Sequence, residues 1–205
     1  MHQLAPDPDR PAPLVLASAS PRRRELLDSL GLRFRVDAPQ LDESPLPGEH
    51  PQAWATRLSQ AKAAQVAARH APPALILAAD TLVIDGAAAL GKPVDAADAR
   101  RMLRRLRARS HEVCTAFTLQ RAGGGGRRLT RLCRTRVHMR AWSDAEQADY
   151  VASGDPLDKA GAYAIQHPVF APVARIEGSY SNVVGLPLEM LQEALTHFGG
   201  LDSWR

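Results

Sequence analysis

Three consecutive arginines, Arg22 to Arg24, stand at the predicted start of a helix, where they could bind an anion with several oxygen atoms. The apolar run from Leu14 to Ala17 predicts a short buried strand, and Ser20 and Pro21 are typical of an N-cap and a first helical residue. Free backbone N–H groups, the helix dipole and guanidinium groups all attract phosphate. Alternatively, the arginines extend into water, and this segment alone supports both interpretations about equally.

A single carboxylate, Asp80, interrupts the apolar run from Leu75 to Ile84, which predicts a buried strand. Burial of an unpaired carboxylate is unfavourable, so Asp80 either caps a turn at the strand end or projects into a site. The turn at Asp85-Gly86 predicts a hairpin that returns Lys92 toward the end of the strand that carries Asp80. A carboxylate and a lysine placed in this way can serve a metal and a phosphate.

The remaining pattern alternates helices with strands. Amphipathic spacing and capping residues predict helices over 51–70, 95–108, 143–153 and 187–198, the third with a capping box formed by Ser143 and Glu146. Period-two alternation predicts strands over 33–36 and 173–176 and a long antiparallel hairpin from 111–120 and 129–140, with a flexible turn at 123–126. Segment 178–188 is interpreted as a turn, a strand and a helix start. These elements predict an α/β fold.

Composition bounds the class of protein. The chain has 205 residues, 45% apolar and 23% charged, with a net charge of +4 and a pI near 9.5, which favours anionic partners. Cys114 and Cys133 have no metal-ligand spacing and are expected as buried thiols in a reducing compartment. Residues 1–13 are expected to be a disordered lead-in with no signal core, and no apolar run suits a membrane span. A cytoplasmic location is therefore expected.

Three separated motifs occur in the order typical of one family: SASPRR from Ser18, AADT with GKP around Asp80 and Lys92, and DKAGAYAIQ from Asp158 followed by GSYSNVVGLPL. The chain resembles the Maf family of nucleoside triphosphate pyrophosphatases over nearly its whole length. The resemblance implies one catalytic domain over 14–200. It also implies a central mixed β-sheet flanked by helices, with two lobes and a nucleotide-binding cleft, similar to the inosine-triphosphate pyrophosphatases.

The resemblance also implies a reaction. Family members hydrolyse a nucleoside triphosphate between its α and β phosphates with a divalent cation, Mg²⁺ or Mn²⁺. They are often homodimers and are associated with inhibition of septum formation. Residues matching the branch that acts on dTTP and UTP are Arg22, Thr81 and Gln166, so a preference for these and for modified pyrimidine nucleotides is expected. Gln166 also offers both a donor and an acceptor to a base edge. Ala164 and His167 depart from the glycines of many relatives.

Chemistry and resemblance together assign hypothetical roles. The triphosphate is expected to bind a set of hydroxyl and cationic side chains: Ser18, Ser20, Arg22, Arg23, Lys92 and Lys159. Asp80 is expected to be the general base or to hold the metal, and Glu43 to share the metal. Lys62 lies in a segment that borders the cleft in the family and receives no role. Ser179, Tyr180 and Asn182 are further polar candidates, although loop hydrogen bonds explain them equally well.

Several other functions compete with this interpretation. A basic helix could bind nucleic acid, but no aromatic residues alternate with its arginines, so a solvated face is favoured: Arg100, Arg101, Arg104, Arg105 and Arg107. We therefore expect no specific nucleic-acid partner. A broad-specificity enzyme, a 7-methyl-GTP pyrophosphatase and a non-catalytic nucleotide-binding regulator of division remain alternatives. A serine hydrolase is disfavoured because no Gly-x-Ser-x-Gly motif occurs.

Overall fold

The computed structural model describes residues 13–123 and 126–204, and within them seven strands form one mixed sheet flanked by helices. The strands are β1 (Leu14–Leu16), β2 (Phe34–Val36), β3 (Leu75–Asp85), β4 (Ala88–Leu90), β5 (Ser110–Arg121), β6 (Arg128–Met139) and β7 (Val173–Glu177). The helices are α1 (Pro21–Asp28), α2 (Pro51–Ala67), α3 (Ala96–Leu106), α4 (Asp144–Ala152), α5 (Tyr180–Val184) and α6 (Leu188–Thr196), with 3₁₀ turns at Asp155–Asp158, Ala160–Ala162 and Leu201–Trp204. The α/β fold with a central mixed sheet is confirmed.

The strand order is β2-β1-β3-β5-β6-β7, and β4 pairs with β3 outside this path. β1 is parallel to β2 and β3, whereas the pairs formed by β4, β5, β6 and β7 are antiparallel. The predicted hairpin of β5 and β6 is confirmed. Residues 124 and 125 of its predicted turn, and residues 1–12 of the predicted lead-in, lie outside the described part of the chain.

One edge of β3 leaves a gap in the sheet. On this edge β3 pairs with β1 through residues 75–77 and with β4 through residues 83–85, while β5 pairs along the whole opposite edge. Residues 78–82 therefore have no strand partner on the first edge among the described residues. Asp80 lies in the middle of this gap, and the residues on both sides of it continue β3, so the alternative in which Asp80 caps a turn at the strand end is wrong.

The apolar cores are also interrupted at this gap. On one face of β3, Ala79 belongs to a core that includes α1 and α6, and Val83 belongs to a core that includes α3 and α4. On the other face, two separate clusters pack against α2 on either side of Asp80. Side chains alternate across a strand, so Thr81 lies between the first two cores and Asp80 between the other two. Polar groups at these positions are thus accessible from a cleft.

Local signals explain most element boundaries. The Ser20 side chain accepts a hydrogen bond from the Arg23 N–H at the start of α1, and Ser143 and Glu146 form the predicted capping box of α4. The segment predicted as a strand within 178–188 is instead the helix α5. Ser179 caps this helix through the Asn182 N–H, which outweighs the β-propensity of the two valines that follow.

Two further expectations concern the burial of the cysteines and the absence of a membrane-spanning segment. Cys114 is buried, but Cys133 is only partly buried, because β6 lies near the edge of the sheet; both thiols are free. No helix within the described ranges combines the length and apolar character needed to span a membrane.

Candidate active site

A cleft of about 560 Å³ opens at the gap in β3. Its lining includes the ten residues to which the sequence assigned a role: Ser18, Ser20, Arg22, Arg23, Glu43, Asp80, Thr81, Lys92, Lys159 and Gln166. The further polar candidates Ser179, Tyr180 and Asn182 are not among the lining residues. Within the described chain, the charged lining consists of five cations, Arg22, Arg23, Lys62, Lys92 and Lys159, and three carboxylates, Glu43, Asp80 and Asp158. The cleft therefore has an excess of positive charge, as a polyanionic ligand requires.

Asp80 forms a buried ion pair with Lys62 of α2. The Lys62 Nζ atom lies 2.5 Å from Asp80 Oδ1 and 2.8 Å from Glu43 Oε1, and Lys62 and Asp80 are 6% and 5% exposed. Asp80 Oδ2 is buried and has no hydrogen-bond partner among the described residues. Burial raises the pKa of Asp80, while the charges of Lys62 and Arg23 act in the opposite direction.

Lys62 is thus a site residue to which sequence reasoning gave no role. Its neighbours on the buried face of α2 are apolar or small, among them Ala55, Leu58, Ala63 and Val66. A lone lysine on an otherwise apolar helical face is the signal that could have identified it, since such a cation requires a buried anion.

Arg23, in the first turn of α1, is held by three side-chain hydrogen bonds to other segments. Its Nε donates to the Gly185 carbonyl at 2.9 Å, its Nη1 to Ser18 Oγ at 3.2 Å and its Nη2 to Thr81 Oγ1 at 3.0 Å. Burial lowers the pKa of Arg23, whereas Asp80 and Glu43 raise it, and a guanidinium remains charged at neutral pH. The other guanidinium N–H groups remain available to a ligand in the cleft.

The other two arginines of α1 differ from Arg23. Arg22 reaches across the cleft to Asp158, with Nη1 3.4 Å from Oδ2, and its side chain is 29% exposed. Arg24 is exposed and lines a separate groove beside β2. The hydroxyls of Ser18 and Ser20 both hold this segment together: Ser18 Oγ accepts from the Ser20 N–H, and Ser20 Oγ caps the helix. The three arginines therefore do not act as one cluster.

The turn over residues 155–166 forms the opposite wall. Lys159 Nζ donates to Asp158 Oδ1 at 2.6 Å and to Asp155 Oδ1 at 3.0 Å, which lowers the pKa of both carboxyls against the effect of their burial. Gly161 adopts φ +69°, and its N–H donates to the Gly91 carbonyl at 3.0 Å, which joins this turn to the segment that carries Lys92. Gln166 is exposed at the cleft.

A buried polar pair supports this wall from behind. The Tyr163 hydroxyl lies 2.8 Å from His111 Nε2, and the two rings meet edge to face. Burial lowers the pKa of His111 to about 4, so the pair is neutral at pH 7. The pair fixes the Tyr163 ring where it lines the cleft.

The carboxylates partly fit a divalent cation. No group of three or more His, Cys, Asp or Glu side chains within the described residues could hold a metal alone. Asp80 and Glu43 nevertheless share Lys62, and Asp80 retains a buried oxygen without a partner. Mg²⁺ is commonly bound by one or two carboxylates together with substrate phosphates, so these two residues fit a metal that arrives with a nucleotide.

Three of the five arginines predicted on the basic helix form ion pairs within the protein. Ion pairs join Arg101 to Asp98, Arg105 to Asp85 and Arg107 to Asp144. The Arg101 and Arg105 side chains remain 76% and 42% exposed in these pairs, and the expectation of no specific nucleic-acid partner stays a prediction.

Comparisons with known proteins agree with this architecture. A family model described as Maf-like protein matches residues 13–198. A curated relative named dTTP/UTP pyrophosphatase from Myxococcus xanthus is 52% identical over 192 residues, which cover 94% of this chain and 95% of the relative. Proteins of the same name from Anaeromyxobacter dehalogenans, strain 2CP-1, and Geobacter sulfurreducens are 51% and 48% identical, over 93% and 92% of this chain and 96% and 97% of their own lengths.

Among solved structures, a HAM1 protein from Coxiella burnetii superposes with a TM-score of 0.54 at 16% identity, over 91% of this chain and 99% of that one. At this level of identity the likeness concerns the fold.

Proposed function

From the premise that this chain belongs to the Maf family, we propose that it is a nucleoside triphosphate pyrophosphatase that prefers dTTP and UTP. Water attacks a nucleoside triphosphate, the bond between the α and β phosphates breaks, and a nucleoside monophosphate and pyrophosphate leave. The names of the relatives support this substrate class. The observation that carries the proposal is the buried, partly unsatisfied carboxylate of Asp80 in a cleft with five cations.

The cations of the cleft have a binding role. Arg22, Lys92 and Lys159 line the cleft from three different segments, so together they can contact successive phosphates. Asp158 is an exposed carboxylate that contacts both Arg22 and Lys159. A triphosphate would replace this weak exposed pairing with a larger negative charge.

Asp80 is the residue that acts in the hydrolysis step itself. It accepts a proton from the attacking water or, together with Glu43, holds the Mg²⁺ or Mn²⁺ that the family resemblance implies. A bound divalent cation lowers the pKa of a water ligand and neutralises phosphate charge. Burial raises the pKa of Asp80, and Lys62 opposes this effect because its ammonium favours the ionised carboxylate. Lys62 is also close enough to the cleft to balance the charge that develops on the phosphates.

Base selection is assigned to Arg22, Thr81 and Gln166. Gln166 is free to offer its amide to a pyrimidine edge, because it is exposed at the mouth of the cleft. The Thr81 hydroxyl also accepts a hydrogen bond from Arg23 and contacts Thr115, so besides its assigned part in base selection it helps to position Arg23. A homodimer, a cytoplasmic location and a part in septum formation stay predictions.

Product analysis tests the proposal directly. Purified protein is incubated with Mg²⁺ and each of dTTP, UTP, the other common nucleoside triphosphates and 7-methyl-GTP, and the products are identified. We expect monophosphate and pyrophosphate, fastest from dTTP and UTP; orthophosphate alone would refute the reaction, and 7-methyl-GTP as the best substrate would refute the base preference.

The variant Asp80→Asn tests the role of the carboxylate. It keeps the shape of the side chain and removes its charge, and we expect kcat to fall by about 10²-fold or more, the usual contribution of a general base. Undiminished release of pyrophosphate by this variant would show that Asp80 has neither proposed role.

A further inference from the structure

Two threonines lie opposite each other on neighbouring strands beside the cleft. Thr81 of β3 pairs with Thr115 of β5, and their Oγ1 atoms are 3.0 Å apart. Thr81 lines the cleft, whereas Thr115 is fully buried and is not among the lining residues. Thr115 therefore has no direct access to a ligand.

The direction of the hydrogen bonds between them follows from the number of hydrogens. The Thr115 hydroxyl donates its single hydrogen to the Asn182 carbonyl at 3.0 Å. Thr115 can then only accept from Thr81, which leaves a lone pair of Thr81 Oγ1 for Arg23 Nη2 at 3.0 Å. The result is a one-way chain from Arg23 through Thr81 and Thr115 to Asn182.

One segment anchors both sides of the Arg23 guanidinium. The chain ends at Asn182 of α5, and the Arg23 Nε donates directly to Gly185, which ends α5. Asn182 is itself fixed, since its Nδ2 donates to the Val113 carbonyl at 3.0 Å and to Thr135 Oγ1 at 2.9 Å. Arg23 is thus held at two points by a segment that is bonded to the centre of the sheet.

We propose that Thr115 is a positioning residue for phosphate binding, which acts by orienting the Thr81 hydroxyl toward Arg23. Without the Thr115 hydroxyl, the hydrogen of Thr81 turns to its other acceptor, the Gly185 carbonyl at 3.4 Å, and this rotation redirects the lone pair of Thr81 Oγ1 that accepts from Arg23 Nη2. The guanidinium then keeps its hydrogen bonds to Gly185 and Ser18 but loses the well-directed bond to Thr81, and fixed orientation is what makes such a group effective on a polyanion. This inference rests on the proposed function in that Arg23 contacts the triphosphate.

The test uses Thr115→Val, which preserves shape and removes the hydroxyl. We expect kcat/KM to fall about tenfold, the worth of one hydrogen bond to a charged group, and by the same factor for dTTP, UTP and dATP, because phosphates are common to all three. The inhibition constant for pyrophosphate should rise in parallel. Thr115→Ser retains the hydroxyl and should restore most of the loss.

Thr118→Val is the matched control. Thr118 lies on the same strand, is equally buried, and its hydroxyl contacts Ser59 and Thr130 away from the cleft. We expect this variant to lose thermal stability and to keep its kinetic constants. If Thr115→Val does not fold, Thr115→Ala removes the same hydroxyl with a smaller side chain.

Three outcomes would overturn the proposal. The first is an unchanged pyrophosphate inhibition constant in Thr115→Val, and the second is a loss of kcat/KM confined to one base. The third is a loss of kcat/KM that persists undiminished in an Arg23→Lys background, where a residue acting through Arg23 should add little. Failure of the wild-type protein to release pyrophosphate from any triphosphate would instead refute the proposed function. Binding of pyrophosphate by calorimetry would then still test whether Thr115 acts through Arg23.

Discussion

Lys62→Met removes the cation from the buried ion pair of the cleft while keeping the length of the side chain. In the wild-type protein, Lys62 compensates both Asp80, which is 5% exposed, and Glu43. After the substitution Asp80 stays buried and its Oδ1 loses Lys62 as a partner. Its Oδ2 has no hydrogen-bond partner among the described residues even in the wild-type protein. We expect a loss of folding stability and of activity together.

The magnitude follows from burial. Removal of one partner of a buried ion pair costs about 3–5 kcal/mol, whereas exposed pairs contribute about 0–1 kcal/mol, so we expect the free energy of unfolding to fall by about 3 kcal/mol near pH 8. Burial already raises the folded-state pKa of Asp80 above its unfolded value, and loss of Lys62 raises this pKa further. At pH values between the unfolded-state and folded-state pKa of Asp80, the folded protein binds more protons than the unfolded chain. The free energy of unfolding therefore falls as pH rises, by at most about 1.4 kcal/mol per pH unit.

Urea denaturation at about pH 5 and about pH 8 measures both effects, and the difference between wild type and variant should be smaller at the lower pH. The control is Arg69→Met, beyond the end of α2. The Arg69 side chain is 43% exposed and forms an ion pair with Asp37, and this exposed pair should contribute less than about 1 kcal/mol to the free energy of unfolding. We expect kcat/KM of Lys62→Met to fall about 10²-fold, the effect of losing one preorganised charge contact. A variant as stable as Arg69→Met at both pH values, with unchanged kcat/KM, would refute the ion-pair reasoning.

Three further substitutions test other parts of the cleft. Arg22→Ala should raise KM for dTTP by about tenfold in steady-state assays, whereas Arg24→Ala, outside the cleft, should leave KM unchanged. Equal effects of the two substitutions would contradict the conclusion that only Arg22 faces the substrate. Gly161→Ala should lower the free energy of unfolding in urea by about 1–3 kcal/mol, because a Cβ would lie 3.0 Å from Val83 at φ +69°, and an unchanged value would argue against this close approach. Burial lowers the folded-state pKa of His111 to about 4, below its unfolded value, so the stability it contributes is lost as pH falls from about 6.5 toward 4. His111→Gln should reduce the pH dependence of the free energy of unfolding in this range, and an unchanged dependence would exclude His111 as its source.

Local sequence signals account for most of the elements, and residue chemistry together with the family resemblance accounts for the identity of most cleft residues. The Ser20 cap, the capping box of α4 and the alternation of β5 and β6 are set by neighbours within a few residues, so they could be read without coordinates. The polar and charged residues of the motifs from Ser18 to Gln166 line one cleft, because each motif ends or interrupts an element beside the gap in β3. The same local reasoning failed for α5, where a serine cap outweighed strand propensity.

Tertiary structure alone decided how these residues are paired. Lys62 and Asp80 belong to different elements, and Arg23 reaches a carbonyl 162 residues away at Gly185. The apolar face around Lys62 predicts a buried anion but not which one, and no sequence pattern predicts the contact of Arg23 with Gly185, since both pairings depend on the tertiary structure around the gap in β3. The sequence determined which charges the cleft contains, whereas the pairing of the strands decided which of those charges are already compensated and which remain available to a ligand.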